Sequence, residues 1–473
     1  MRLHRILLIP ALFACAQARA DVVISNDPTS NMTCSDGVCQ ATSANAVLNA
    51  GDLAGLLASG DVTVTTGTLS YRIIVDAPLS WTSASTLSLT ALEYLLIKQP
   101  IVVAGRGGLT TDIWPLFPAA GAHVEFTDKK SALTIAGDRY RLATSFNAFR
   151  RLAFTSQFVA LAKSVKAPKT AFSSSPITDF GSHGGALEGL GNTISRLSID
   201  DETSNDNVGL VGTLESDALV RDIRLSRVSV RAVGAEKVVG TVVGESFGHV
   251  RGSYATGTVS ASGTASYVGG LVGRSESPGI IDYSLADVAV TVDGTAFVEG
   301  GMAGLSTMAI SESYATGAVQ GADDTIMGGL VGFTGAFNNV SECFATGSVT
   351  GGDAATVGGL VGAGDTDGKV GSAIFDSYST GAVSGGPHAI MGGVIGVDSP
   401  KTRNEDGYWD LDLSDVTDPS RGAGNIANDK GLTGLTTAQL QAHRPKGFSK
   451  RYWRASPGTN DGFPYLVNVQ PPK

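Results

Sequence analysis

Three short clusters of carboxylates have the residue types that acid–base chemistry would need. General acid and general base catalysis on a glycoside requires two carboxyl groups held on one face of a cleft. Each cluster lies in a stretch that we predict to be a turn, where carboxylates are ordinarily solvated. We therefore predict no catalytic role for these clusters, which span residues 200–202, 323–324 and 365–367.

A second set of residues could support nucleophilic or metal chemistry. Residues 244–248 match the G-x-S-x-G pattern, in which a strand-to-helix turn presents the serine to a histidine base. Gly244 is also the last glycine of a repeated string, and the next copy has Ser275 at the place of Ser246, so we attribute the match to the repeat. The six histidines lack the spacing of zinc ligands. We predict no catalytic residue, no cofactor and no metal site, and leave open weak calcium binding at residues 365–368.

These residues are embedded in an internal repeat with a period of about 30 residues. A string of the form Ser-Tyr-Ala-Thr-Gly-x-Val alternates with a string of the form Val-Gly-Gly-Leu-Val-Gly. Because one such unit cannot bury its own apolar face, the units must stack and share a core. We align the copies of the first string on their aromatic residues. These residues are at positions 254, 283, 314, 344 and 378.

The alternation of residue types within the first string predicts β-strands. In the first copy, alternate positions carry Ser, Ala, Gly and Val, which suits the interior of a tightly wound coil. Glycine content disfavours helical repeats, and a propeller would need a period of roughly 40–50 residues. The sequence therefore predicts an all-β parallel β-helix. Its predicted core positions are Val259, Val288, Val319, Val349 and Val383.

Composition and charge narrow the class of protein further. Of 473 residues, 61 are glycine, 16% are charged and 42% are hydrophobic, which is too apolar for a disordered chain. The net charge of −10 argues against a nucleic-acid partner, which requires clustered Lys and Arg. Beyond the N-terminus, no segment has the roughly 18 unbroken apolar residues of a membrane span.

The first twenty residues have the features of a signal peptide. Two arginines precede an apolar stretch, and an Ala-Arg-Ala site predicts cleavage between Ala20 and Asp21. Cleavage would leave 31 basic and 44 acidic side chains, a net charge of −13. Export permits oxidation of cysteines, so we favour a disulfide between Cys34 and Cys39 over free thiols. Cys343 is predicted to be a small buried residue of the repeat.

The remaining segments are divided by their patterns. Residues 21–45 are predicted to be a leader with the disulfide loop, and residues 46–202 to form the first coils. Aromatic and leucine spacing near residues 138–165 predicts a short amphipathic helix against the solenoid. Residues 203–400 carry the repeat array. The aromatic region 401–473 is predicted to cap the open coil, because solenoids need caps against edge-to-edge growth.

The two repeated strings resemble the GLUG motif of bacterial adhesins that are similar to filamentous haemagglutinin. Residues 268–273 and 313–317 carry the resemblance, and residues 187–199 resemble the entry to such arrays. Weaker similarity continues through 46–49, 62–67 and 75–81, and through 408–410, 431–440 and 463–466. The resemblance implies a right-handed parallel β-helix with an adhesive or surface role.

We therefore expect a secreted or cell-surface bacterial protein without catalytic activity, with the periplasm as an alternative location. Its partner would be a surface glycan or a protein, held by loops on the repeat scaffold. Two alternatives stay open. One is a lyase-like or hydrolase-like β-helix enzyme acting on polysaccharides, and the other is a passive structural protein of the cell envelope.

Overall fold

The computed structural model describes residues 21–112, 116–119, 121–203, 207–264, 267–295, 298–335, 339–365 and 373–469. Strands make up 48% of the chain and helices 6%, and nearly all strands pair in parallel. The chain is thus a β-solenoid, which confirms the predicted fold class. Its coils form two stacks with separate hydrophobic cores. None of the helices in the described residues is long and apolar enough to cross a membrane.

Coils of about 22 residues build most of the first stack, and the three coils that begin at Arg72, Tyr94 and Leu116 each contribute one strand to each of three sheets. Leu79, Ile101 and Val124 pair in register from coil to coil. Along the strand Val62–Thr65, buried and partly exposed residues alternate as the Val-Thr-Val-Thr pattern predicts.

Three sheets hold the strands of the first stack. The five-stranded sheet has the spatial order Ala46–Asn49, Asp21–Ser25, Arg72–Val75, Tyr94–Ile97 and Leu116–Pro118. The three-stranded sheet has Leu79–Trp81, Ile101–Val103 and Val124–Phe126. The third sheet has Met32–Ser35, Val38–Ala41, Val62–Thr65, Thr86–Thr90, Gly108–Thr111 and Ala132–Ile135.

The second stack contains the repeat array, with one coil per repeat. Val239 pairs with Val268, and Val268 pairs with Glu299, so each repeat advances the stack by one strand spacing of about 4.8 Å. Its seven-stranded sheet has Asn207–Val208, Val238–Val239, Tyr267–Gly269, Val298–Gly300, Ile326–Gly328, Thr356–Gly358 and Ile390–Gly392. Its eight-stranded sheet has Ile177–Phe180, Val211–Leu214, Val243–Ser246, Val272–Ser275, Ala303–Ser306, Val331–Thr334, Val361–Gly364 and Ile395–Val397.

A third, wide sheet of the second stack usually receives two or more strands from each coil. It begins at Asp138–Ala143, which turns antiparallel to Ala132–Ile135 of the first stack. The wide sheet contains Asp138–Ala143, Phe158–Leu161, Val165–Lys166, Gly185–Glu188, Thr193–Ser195, Ser198–Asp201, Ala218–Arg221, Arg224–Ala235, His249–Arg251, Tyr254–Thr264, Ile281–Asp282, Leu285–Thr295, Ile310–Ser311, Tyr314–Ala315, Val319–Gln320, Asn339–Ser341, Phe344–Ala345, Val349–Thr350, Ala373–Ser379, Val383–Ser384, Glu405–Asp410 and Leu432–Leu435. A separate antiparallel pair joins Trp453–Arg454 to Tyr465–Leu466.

The division into two stacks was not predicted, and the predicted start of the repeat array at residue 203 does not coincide with it. The second core begins at Ala143, so the segment 46–202 is divided between the two stacks. The last strand of the three-stranded sheet is covered by the second stack, because the N–H of Phe126 donates to the carbonyl of Ala162 and that of Val124 to the carbonyl of Leu190. These two hydrogen bonds pair backbone groups of the edge strand Val124–Phe126, which would otherwise be exposed.

Four of the five predicted core valines form one buried column, but Val288 is not part of it. Val259 pairs with Val290, which pairs with Val319. Val288 is buried in the core as predicted, but it lies opposite Gly257 in the neighbouring column, and the residue equivalent to Val259 is Val290. The column consists of Ile199, Val230, Val259, Val290, Val319, Val349 and Val383.

The two-residue error arises at Tyr283. Register places Tyr254 opposite Leu285, so Tyr283 occupies the corner that Gly252 occupies in the preceding coil. Both corner residues have positive φ, 51° at Tyr283 and 60° at Gly252. Aligning the strings on their aromatic residue therefore matched Tyr283, which lies at a corner, with Tyr254, which lies on a strand.

In the part of the chain that the structure describes, three α-helices interrupt the strands: α1 (Ala50–Ser59), α2 (Phe146–Ala153) and α3 (Thr437–Ala442). Helix α1 was not predicted; it is capped by the Asn49 side chain and buries Leu53 and Leu57 beside the strand Leu79–Trp81. The helix expected near 138–165 is shorter than predicted. Leu142, Phe158 and Leu161 lie on strands that flank α2, because pairing within the wide sheet determines their conformation.

The N-terminal segment belongs to the solenoid and does not form a separate leader. Asp21–Ser25 lies in the five-stranded sheet between two parallel neighbours. The Cys34 and Cys39 sulfur atoms are joined as a disulfide across the hairpin that follows. The predicted signal peptide, including Ala20, lies outside the described residues.

The first glycine of each glycine-rich string is required by a close backbone approach. A Cβ atom on Gly328 would lie 2.0 Å from the carbonyl oxygen of Val331 and 2.6 Å from the backbone nitrogen of Gly362. Gly269, Gly300 and Gly358 show the same approach in their coils. Because the obstructing atoms are backbone, they cannot move without shifting a coil.

We expect Gly328→Ala to lower the free energy of unfolding by about 2 kcal/mol or more, as overpacking does. The matched control is Gly55→Ala in α1, where a Cβ atom meets nothing within 4 Å and helix propensity should add about 0.5–1 kcal/mol. Urea unfolding of both variants measures the difference. Equal stability of Gly328→Ala and the wild type would contradict the proposed backbone constraint.

One carboxylate is enclosed within the array. Glu299 is fully buried between Val268 and Met327 of the adjacent coils, and neither carboxylate oxygen has a hydrogen-bond partner among the described residues. Burial raises the pKa of Glu299 well above its usual value of 4.5. The folded chain therefore holds this proton at pH values where the unfolded chain has lost it.

Stability contributed by protonated Glu299 should be complete below pH 4.5 and lost as pH rises through the raised pKa. We expect Glu299→Met, which copies Met327 of the next coil, to be more stable than the wild type. Between pH 5 and pH 8, the free energy of unfolding of Glu299→Met should increase relative to that of the wild type. The increase should be about 1.4 kcal/mol per pH unit over the range in which the folded wild type keeps the proton and the unfolded chain has lost it. Urea unfolding at both pH values tests this, and an advantage independent of pH would contradict it.

Candidate ligand-binding cleft

The predicted carboxylate clusters do not come together in one site. Asp200 and Glu202 each accept a hydrogen bond of 2.7 Å from Arg231 at the surface. Asp201 points the other way, is buried, and lies 3.3 Å from the Lys237 ammonium. This cluster is therefore a set of ion pairs that bridges neighbouring coils.

The other residues with chemical potential are also separate. Asp323 accepts a hydrogen bond of 2.7 Å from the backbone N–H of Asp353, and residues 366–368 of the suggested calcium turn lie outside the described residues. Ser246 is buried, and its hydroxyl donates to the carbonyl of Gly248 at 2.9 Å. Burial raises the pKa of the Cys343 thiol. In the described part of the chain, no group of three or more His, Cys, Asp or Glu side chains could hold a metal ion.

A column of large side chains on the outer face of the wide sheet organises the region that could bind a ligand. Tyr314 stacks on Phe344 with ring centroids 4.3 Å apart, and Phe344 stacks on Tyr378 at 5.1 Å. Parallel register produces these stacks, because the same position in each coil lies directly above the last. In order, the column is Arg224, Tyr254, Leu285, Tyr314, Phe344, Tyr378 and Tyr408.

Residues 436–469 of the C-terminal region cover one part of this column, whereas residues 405–435 pair with the last coil of the array and add Trp409 to its core. Trp453 is fully buried, with its ring centroid 5.8 Å from Tyr378 and 4.5 Å from Phe448. The Tyr378 hydroxyl donates to the carbonyl of Pro464 at 2.6 Å. Residues 436–469 therefore run back along the side of the array, where the exposed aromatic faces supply the apolar surface they bury.

A cleft of about 760 Å³ lies where this cover ends. One wall is the outer face of the five-stranded sheet, with Arg72 and Tyr94. The second is the wide sheet, with Arg224 and Tyr254, and the third is the C-terminal region at 450–454 and 467–469. Both stacks and the C-terminal region are therefore needed to form the cleft, and the segments that line it are distant in sequence.

Positive charge dominates the lining of the cleft. Among the described residues, seven Lys and Arg side chains and two carboxylates line the cleft, in a chain whose net charge is −10. Three of the seven cations also pair with carboxylates outside the lining: Arg72 with Asp21, Lys98 with Asp76 and Arg251 with Asp282. Low-dielectric walls concentrate such a field and raise the local concentration of anions. The cations are Arg72, Lys98, Arg224, Arg251, Lys450, Arg451 and Arg454.

Two of these cations hold aromatic rings in place. Arg72 donates two hydrogen bonds of 2.6 Å to the Asp21 carboxylate and one of 2.7 Å to the Tyr94 hydroxyl. The Arg251 guanidinium lies 4.8 Å from the centre of the Tyr283 ring, a cation–π contact. Asp21, the residue predicted to follow the cleavage site, thus helps to build the wall.

Arg224 has a different environment from the paired arginines. Its Nη2 donates to the carbonyls of Ala119 and Pro118 at 2.9 and 3.3 Å, which ties the second stack to the first. Among the described residues no carboxylate lies within ion-pair distance of Arg224, and its Nε and Nη1 groups have no acceptor. Burial lowers the pKa of this guanidinium, which shows that its charge is partly desolvated.

The two carboxylates of the cleft are both engaged by the protein. Glu312 accepts a hydrogen bond of 2.9 Å from the Asn468 side chain. Asp222 lies 3.7 Å from Arg221, which itself pairs with buried Glu188. Burial raises the pKa of Asp222 well above its usual range, and the nearby charge of Glu188 raises it further. Protonation of Asp222 would make the cleft more positive.

Sequence reasoning missed this cleft. Arg224 and Tyr254 share a column only through register, while Arg72 and Arg454 come from distant segments. No short motif links them. The one usable signal was the recurrence of aromatic residues at the coil period, which marks an outward column that another segment must cover or leave open.

Comparisons with known proteins give limited matches. No family model matches the chain. Halomucin from Haloquadratum walsbyi is 39% identical over 97 residues, which is 20% of this chain, and the match spans 1% of halomucin. The crystal structure of a candidate immunoglobulin A1 protease from Bacteroides ovatus is 15% identical with a TM-score of 0.43, covering 70% of this chain and 93% of that one.

If the aromatic column anchors the C-terminal region, Trp453→Ala should release it. The lost contacts correspond to about 3–5 kcal/mol for a buried tryptophan. Limited trypsin digestion should then cut within residues 444–454 while the array stays intact. Phe154→Ala removes an exposed aromatic ring and serves as the control. An unchanged digestion pattern for Trp453→Ala would contradict the anchoring role.

Proposed function

We propose that the protein is an exported, non-catalytic binding scaffold, adhesin-like in that it attaches to a surface or matrix component. The observation that carries this proposal is the positively charged cleft, whose walls are fixed by both stacks and by the C-terminal region. A rigid solenoid that presents a preformed cleft suits binding without conformational change.

Two features of the sequence support the location and role. The first twenty residues have the organisation of a signal peptide, and the mature chain would begin at Asp21 in the first sheet. The repeated strings resemble those of GLUG-motif adhesins. We infer that the protein acts outside the cytoplasm, on the cell surface or secreted, with the periplasm as the alternative.

A polysaccharide-active enzyme is the second candidate, because Asp222 and Glu312 both line the cleft. Two carboxylates could serve as acid and base toward a glycosidic bond. Here Glu312 is held by Asn468 and Asp222 is packed against Arg221, which favours structural roles. The two candidates differ in whether the ligand is cleaved.

We expect the purified chain 21–473 to be retained by at least one immobilised polysaccharide or matrix protein, without release of new reducing ends or unsaturated sugar products. Retention and product release are measured in the same columns. Protease treatment of intact producing cells, followed by immunoblotting for residues 401–473, should remove the protein while a periplasmic marker survives.

Product release would contradict the binding role if Glu312→Gln abolished it. Glu342→Gln is the matched control, since Glu342 occupies the equivalent corner of the next coil and does not line the cleft. A band that is protected until the outer membrane is broken would place the protein in the periplasm. Failure of every immobilised ligand to retain the protein would overturn the attachment role.

A further inference from the structure

We propose that the cleft binds a carboxylate-bearing sugar, a uronic-acid or sialic-acid unit of an acidic glycan. This inference rests on the proposed attachment role and names the ligand class of the same cleft. Three properties of the walls support it: the environment of Arg224, the cations on the C-terminal side, and the position of the tyrosine rings.

Arg224 supplies a fixed point for an anion. Two protein carbonyls hold its Nη2, so the guanidinium is oriented before a ligand arrives. In the described residues its Nε and Nη1 groups lack acceptors, so each can still donate a hydrogen bond. A ligand carboxylate can accept a charge-assisted hydrogen bond from one of them, and partial desolvation of the guanidinium strengthens that bond.

Further cations lie on the opposite wall. Lys450, Arg451 and Arg454 are exposed, and no carboxylate among the described residues is within ion-pair distance of them. The Arg451 guanidinium lies 5.4 Å from the centre of the Tyr452 ring, and this contact restricts the conformations of the Arg451 side chain. If one carboxylate of an acidic glycan binds Arg224, the next acidic units of the glycan would lie beside the positive charges of the second wall.

Tyrosine rings give the cleft its preference for sugars over simple anions. Tyr254 is the neighbour of Arg224 in the outward column, and Tyr283 lies at the next corner. The C–H face of a pyranose ring is apolar and packs on an aromatic face, while its hydroxyls reach polar groups at the rim. Burial raises the pKa of Tyr254 to about 12, so its hydroxyl stays a neutral hydrogen-bond donor.

The surroundings of the cleft disfavour a long phosphodiester chain. The corner column that includes Glu312 continues with Glu342, Asp376 and Asp406, all at positive φ and one coil apart. Burial raises the pKa of Asp376, and the nearby charges of Asp406 and Glu405 raise it further. Four consecutive coils thus place a carboxyl group along this edge. A nucleic acid that extended from the cleft along this edge would meet repulsion, whereas a short acidic glycan unit would not.

Isothermal titration calorimetry of the chain 21–473 tests the inference at low salt. The probes are tetragalacturonate and its methyl ester, and 3′-sialyllactose and lactose, so each acidic sugar has an uncharged counterpart. Oligothymidylate represents phosphodiesters. We expect at least one acidic sugar to bind roughly tenfold or more tightly than its counterpart, and binding to weaken as salt rises.

Two variants place the binding in the cleft. Lys450→Glu combined with Arg451→Glu should weaken acidic-sugar binding roughly tenfold, and Tyr254→Ala should do the same through lost stacking. Their controls are Lys163→Glu combined with Lys169→Glu, and Tyr71→Ala, all at exposed positions outside the cleft. Unchanged melting temperatures would show that each variant is folded.

The outcomes separate this inference from the attachment role. Binding of an acidic sugar that is lost in the cleft variants supports both. Equal binding of charged and uncharged counterparts, tighter binding of oligothymidylate, or binding unaffected by the cleft variants overturns the acidic-sugar inference. If the protein is retained by an immobilised ligand yet binds no acidic sugar, the inference fails while the attachment role stands. Failure in both assays overturns both.

Discussion

Parallel pairing in register makes each residue of the array the neighbour of the same position in the next coil. The core columns, the glycine positions and the outer aromatic stack of the repeat array follow from this constraint. Val259, Val290 and Val319 form a core column, and glycine recurs wherever a Cβ atom would strike a backbone atom of the adjoining segment. The same constraint stacks Tyr314, Phe344 and Tyr378 on the outside, where they cannot join the core.

The outward column is the link between the scaffold and the cleft. Its covered half holds the C-terminal region through Trp453 and the Tyr378 hydroxyl. Its uncovered half, with Arg224 and Tyr254, faces the first stack. The two stacks are tied together by Arg224 and by Asn192, whose side chain donates to carbonyls of both Val124 and Leu161. Long-range contacts thus define a cleft that no single coil could form.

The sequence predicted the fold where the physics is local and repeated. Alternation and periodicity predicted the strands, but they left the number of coils per repeat open, and the register of the strands shows one coil per repeat. They predicted the burial of Val288 but aligned it with the wrong column, because Tyr283 lies at a corner and not on a strand. They also missed α1, where two glycines weakened the helical signal and packing of Leu53 and Leu57 decided the structure. The cleft could not be predicted, since Arg72, Arg224 and Arg454 come together only through tertiary packing.

The most direct test of this account is hydrogen–deuterium exchange of the chain 21–473 with and without tetragalacturonate or 3′-sialyllactose. Binding in the cleft should slow exchange at residues 222–225, 251–254 and 450–454 and leave the loops of the array at 321–325 and 351–355 unchanged. Slowed exchange confined to the array loops would contradict the central claim that the cleft is the attachment site.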